Sequence, residues 1–151
     1  MLRTLCLAFL LVGCGAPAPV AQYRPAFVDP ALGDAPADAL ETWQLATGGR
    51  FPVRNISFLV GDINNAALTD APADMSKPAF VTVASWLDPS WFRQALLHEL
   101  GHVAKLTIDP DSGDPIHYHG SRPSVMLPVL NDCSAEIGEP ELDAFVRRYG
   151  R

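Results

Sequence analysis

The chain has 151 residues, 48% hydrophobic and 19% charged, which suits one packed domain and excludes a disordered chain. Acidic residues outnumber basic ones 17 to 11, for a net charge of −6. No cluster of Lys and Arg interrupts that balance, so nucleic acid is not an expected partner.

Residues 1–13 fall outside the predicted domain. Arg3 gives a short positive start, and Leu5 to Val12 form an apolar run. The run is too short to cross a bilayer as a helix and has the form of a secretory signal. It ends in Leu11-Val12-Gly13-Cys14, which resembles the lipobox of bacterial lipoproteins. That resemblance implies cleavage before Cys14, a lipid anchor on its thiol and a place in the cell envelope. Gly15 and Ala16 follow without an Asp, so the outer membrane is expected. Cys6 leaves with the signal and Cys14 takes lipid. Cys133 then stands alone, read as a packed thiol, and no intramolecular disulfide is expected. Residues 14–37 are rich in Ala and Pro and read as an extended tether, with the part around Tyr23 to Val28 able to pack on the domain.

The domain is predicted over residues 38–151. Ala39, Leu40, Trp43 and Leu45-Ala46 follow helical spacing, and Gly48-Gly49 stops that helix. Phe51 to Val60 reads as a strand ending at Gly61-Asp62, Asn64 to Lys77 as a loop, and Ala79 to Ala84 as a second strand. Asp88-Pro89-Ser90 opens the next helix with a cap-type residue and a proline in the first turn. From Trp91 to Leu106 there is no further proline. Apolar residues cover nearly the whole circumference of this helix, so it is predicted to be buried.

That helix carries Leu97-His98-Glu99-Leu100-Gly101-His102, an H-E-x-x-H motif. Residues four apart share a helix face, so the imidazoles of His98 and His102 can grip one metal ion. Glu99 projects about 100° round from His98, beside the place where a water on the metal would sit. Zn²⁺ is the expected ion, because imidazole suits it and catalytic zinc sites combine three protein ligands with a water. Glu99 is expected to be the general base. A chance match would place these groups at a surface; on a buried helix, unpaired ionisable groups are costly and need a partner.

After the helix, Asp109 to Pro115 reads as a solvated turn, since its acidic residues lack EF-hand spacing. His117-Tyr118-His119 brings two more histidines, and Ser124-Val125-Met126-Leu127-Pro128 a tight turn with a buried methionine. Ile137, Leu142, Phe145, Val146 and Tyr149 suit a final amphipathic helix between Ser134 and Arg151, ended by Gly150.

Taken together, residues 38–151 resemble the metzincin metallopeptidases, in particular matrixin-like bacterial members. Trp43 on an early helix, the strand from Asn55 to Val60, the His98–His102 motif, the Met-turn at Met126 and a closing helix ending in Tyr149-Gly150 carry the resemblance, in that order. It implies an α/β (α+β, zincin-like) fold, in which a twisted, mixed and mostly parallel sheet packs on the buried active-site helix and a C-terminal helix follows the Met-turn. Substrate would lie along the sheet edge above the metal, and Met126 would form an apolar floor without ligating. The family pattern continues past the helix with a glycine and a third histidine. Here those positions hold Lys105 and Ile108. Lys turns the chain less readily than Gly, and Ile cannot bind zinc. The third ligand is then expected later, from His117 or His119. Spacing to Met126 does not separate them. His119 is taken because Gly120 frees the backbone next to it. Glu136 or Glu139 would serve only in a Glu-type zincin, which the Met-turn order argues against.

The implied function is a zinc-dependent endopeptidase at the cell envelope, with zinc on His98, His102 and His119, Glu99 as proton carrier and a peptide or protein as substrate. The alternative is a non-catalytic zinc-binding or structural lipoprotein on the same scaffold, suggested by Lys105 and Ile108.

Overall fold

The computed structural model describes residues 25–52, 54–122, 124–128 and 136–150. The predicted signal over 1–13, Cys14 and Cys133 lie outside the described residues. Along the chain run β1 (Phe27–Val28), α1 (Ala35–Ala46), β2 (Ile56–Gly61), β3 (Ala67–Asp70), β4 (Ala79–Ala84), α2 (Phe92–Val103) and α3 (Glu139–Tyr149). The strands form one mixed sheet in the order β1-β2-β4-β3. The first three are parallel, and β3 runs antiparallel along the edge. The fold is thus mixed α/β.

One face of the sheet is the core face. Val28, Phe58, Val81 and Thr69 lie in one row across the strands, and Phe58 and Val81 are fully buried. The neighbouring row, Phe27, Ser57, Phe80 and Asp70, points the other way because successive residues of a strand alternate sides. Phe27 and Phe80 are accordingly exposed. Against the covered face lies α2, with Leu96, Leu97, Leu100 and Val103 all buried. Helix α1 packs on α2, and the indole Nε1 of Trp43 donates to the Leu97 carbonyl at 3.0 Å. The start of α2 follows its sequence signal. The Asp88 carboxylate accepts from the Ser90 N–H at 2.9 Å, one 3₁₀ turn runs over Pro89–Trp91, and α2 follows at Phe92.

Three expectations are corrected. The ordered domain begins before residue 38: β1 falls at the end of the part expected to be able to pack on the domain, whereas the buried Leu32 and the first turn of α1 come from the stretch read as an extended tether. Pro36 occupies the first turn of α1, where a missing N–H costs nothing. The predicted loop from Asn64 to Lys77 contains β3. Its four residues have little strand propensity, and pairing with β4 supplies what the sequence does not. Finally, α2 stops at Val103, ahead of Leu106. Among the described residues no helix is long and apolar enough to cross a membrane.

Candidate metal centre

Helix α2 delivers His98, Glu99 and His102 to one cleft of about 870 Å³. Edge strand β3 contributes Ala67, Leu68 and Thr69 to one wall, and Ile116, His117, Leu127 and Pro128 come from the segment after α2. The Nε2 atoms of His98 and His102 lie 3.0 Å apart, as one helical turn allows. His98 Nδ1 lies 2.9 Å from the Val125 carbonyl. A carbonyl can only accept, so that nitrogen carries the proton and Nε2 is left with a free lone pair. Met126, next in the turn, is fully buried. A Cβ on Gly101 would overlap its sulfur, so glycine in the last turn of α2 is what allows the Met-turn to seat beneath the histidine pair.

Lys105 explains how the chain leaves α2 without a glycine. It adopts φ +56°, the left-handed conformation that costs an L-residue about 1–2 kcal/mol. The Lys105 N–H donates to His102 O at 2.9 Å and the Leu106 N–H to Gly101 O at 3.2 Å, the pair of bonds that closes a helix sharply. The Lys105 ammonium reaches the carbonyl of Ala71 just past β3. Helix α3 holds the same exit from the other side: Tyr149 Oη donates to Ala104 O at 2.7 Å and Arg147 Nη2 to Thr107 O at 2.9 Å. Ile108 goes into the core. The sharp turn that the residue type argues against is therefore made, by lysine.

The third imidazole is that of His117. The Ile108 N–H donates to Pro115 O at 2.8 Å, which closes residues 109–115 into a side excursion and brings the chain back beside α2. The rings of His117 and His98 then stack at 5.2 Å between centroids, and His117 meets His102 edge-on at 5.1 Å. One ligand nitrogen from each of His98, His102 and His117 lies within 4.8 Å of the other two. His119 does not join them. Its side chain is 43% exposed against 21% for His117. Gly120 makes room for the Tyr118 ring, whose oxygen a Cβ there would overlap; it does not turn His119 inward. The N–H of Tyr118 donates to Met126 O at 2.8 Å and ties this segment to the Met-turn. Glu136 and Glu139 form exposed ion pairs with Arg93 and Arg122 and take no part.

Two carboxyl groups at the site were not foreseen. Glu141, fully buried on α3, accepts from the Ser124 hydroxyl, from Met126 N–H at 3.2 Å and from Gly138 N–H at 2.8 Å. It pins the Met-turn to the last helix. Asp114 Oδ2 lies 2.7 Å from His117 Nδ1, and this hydrogen bond holds the Asp114 carboxyl below its usual range. Neither had a sequence signal beyond turn and helix-start chemistry.

The donor set suits a metal. Burial lowers the His98 imidazole from 6.5 to about 4; burial and then the neighbouring imidazoles lower that of His102 to about 3. Both are therefore neutral at neutral pH, as metal ligation requires. Tetrahedral zinc with bonds of about 2.0–2.1 Å separates its nitrogens by roughly 3.3–3.4 Å, close to the spacing of the helical pair. Glu99 shares the cleft. Burial pushes its carboxyl up, while the Thr69 hydroxyl and the charge of His117 pull the other way. No protein-family model, curated protein or solved structure matches the chain.

Proposed function

We propose that this chain is a zinc-dependent endopeptidase of the metzincin type, with zinc held by His98, His102 and His117. One observation carries the reading: three imidazoles converge in a cleft whose wall also presents a buried carboxyl, Glu99. A bound zinc ion supplies a Lewis acid that polarises a scissile carbonyl and acidifies water. The chain does the rest. Glu99 takes the proton from the attacking water and passes it to the leaving amine, and its upward shift suits a group that must both accept and donate. The free edge of β3 offers backbone partners to an extended peptide, which would then cross the cleft above the imidazoles. Met126 is the apolar floor. The buried α2 behind a mixed sheet supports the zincin assignment, and the left-handed Lys105 with the late His117 accounts for its two departures from the family pattern. We further propose that lipid on Cys14 holds the enzyme at the bacterial envelope, in the outer membrane.

The test is metal content together with chelator-sensitive cleavage of a generic unfolded protein. Glu99→Gln is expected to keep its zinc and lose about 10²–10⁴ in turnover. Full activity in that variant would refute the role of Glu99. One zinc per chain without any cleavage would favour the non-catalytic alternative.

A further inference from the structure

We propose that Asp114 is the positioning residue of this centre, fixing the proton and ring plane of His117 so that Nε2 faces the two helical imidazoles. The proposal rests on the metal reading above and deepens it. His98 and His102 are oriented by the helix that carries them, and His98 also by a main-chain carbonyl. His117 sits on a loop, where nothing in the backbone sets its ring. The turn Asp114-Pro115-Ile116-His117 supplies the constraint. The His117 N–H donates to Asp114 O at 3.3 Å, with proline second in the turn, where its fixed φ is favourable. Across the same turn the Asp114 carboxylate reaches His117 Nδ1 at 2.7 Å.

Asp114 is itself held from behind. Its N–H donates to Ser112 Oγ at 3.2 Å, and that hydroxyl donates to Asp109 O at 3.0 Å. A carboxylate on one ring nitrogen keeps the proton there, points the other nitrogen at the metal and makes it a better donor. His119 Nε2 lies 3.5 Å from the same oxygen, a longer and weaker contact than that of His117, and a smaller cause of the lowered Asp114 carboxyl than His117.

The experiment titrates the zinc-loaded full chain with a chromophoric chelator and records the visible spectrum of the Co²⁺-substituted chain. Asp114→Ala is expected to weaken zinc binding about 10–100-fold and to change the Co²⁺ band. Asp114→Asn, whose amide oxygen still accepts but carries no charge, loses less and keeps the shape of the turn. Asp114→Glu recovers part of the affinity. His119→Ala leaves both readings unchanged. Wild-type affinity and an unchanged band in Asp114→Asn and Asp114→Ala would overturn the proposal while leaving the metal reading intact. An equal loss in His119→Ala would also overturn it, because the whole loop would then carry the effect. A wild-type chain that takes up neither metal would overturn the metal reading itself.

Discussion

The two halves of the metal centre are built by different means. His98 and His102 sit on a buried helix, where 3.6-residue periodicity alone puts their nitrogens within 3.0 Å. His117 sits on the irregular segment from Leu106 to Pro128, which has no periodicity to place it. Its position depends on bonds between segments: Ile108 N–H to Pro115 O, Tyr118 N–H to Met126 O and Asp114 to His117. A site drawn from a helix inherits its geometry. A site drawn from a loop needs each anchor built separately, so the loop half is where single substitutions should have selective effects.

His117→Ala tests that division most severely. With two imidazoles left, the chain is expected to lose its metal on dialysis and its chelator-sensitive cleavage, as metal analysis of the dialysed protein would show; zinc retained at one per chain would mean that the loop supplies no ligand. Next comes Glu141→Ala. It leaves buried donors of the Met-turn without an acceptor and is expected to cost about 2–4 kcal/mol by urea unfolding. The exposed Glu139, changed in the same way, should cost under about 1 kcal/mol. Equal costs would deny the turn its anchor.

Acid probes the helical half. The folded-state values of His98 and His102, about 4 and about 3, lie below the ordinary 6.5, so the unfolded chain binds protons first as pH falls. The metal-free protein should therefore keep full stability above about pH 6.5 and lose it progressively down to about pH 3. A urea midpoint that stays flat over that window would show that the pair is not buried. The smallest effect is expected at the joint between the halves. Lys105→Gly removes left-handed strain and should stabilise by about 1 kcal/mol, with Lys105→Ala separating the strain from the loss of the Ala71 contact.

The same division explains what could be read before any coordinates. The burial of α2, its start at Asp88 and the histidine pair follow from local pattern, and so does the amphipathic last helix. Strand β3 was missed because Ala67 to Asp70 acquires its conformation from β4. Pro36 was read as tether composition although proline also opens helices. At Lys105 the residue type argued against a turn that tertiary contacts from Tyr149, Arg147 and Ala71 nonetheless hold in place. His117 and His119 differ by two positions in a loop, and long-range bonds that no local pattern announces, such as Tyr118 N–H on Met126 O, separate them. Glu141 has the spacing of a helix-start acid; that its other oxygen reaches the Met-turn is a long-range fact.

The excursion over residues 109–115 is tied off at its neck, yet its tip stays coupled to the imidazoles, because Ser112 Oγ bridges Asp109 O and the N–H of Asp114. Asp111 and Gly113 are solvent-facing, and no atom crowds the space beside Gly113. A short peptide tag spliced in there would slacken the brace behind Asp114 and, through it, the ring of His117. Surface exposure alone therefore does not make this bend a neutral place for a reporter, although loop tips usually tolerate one.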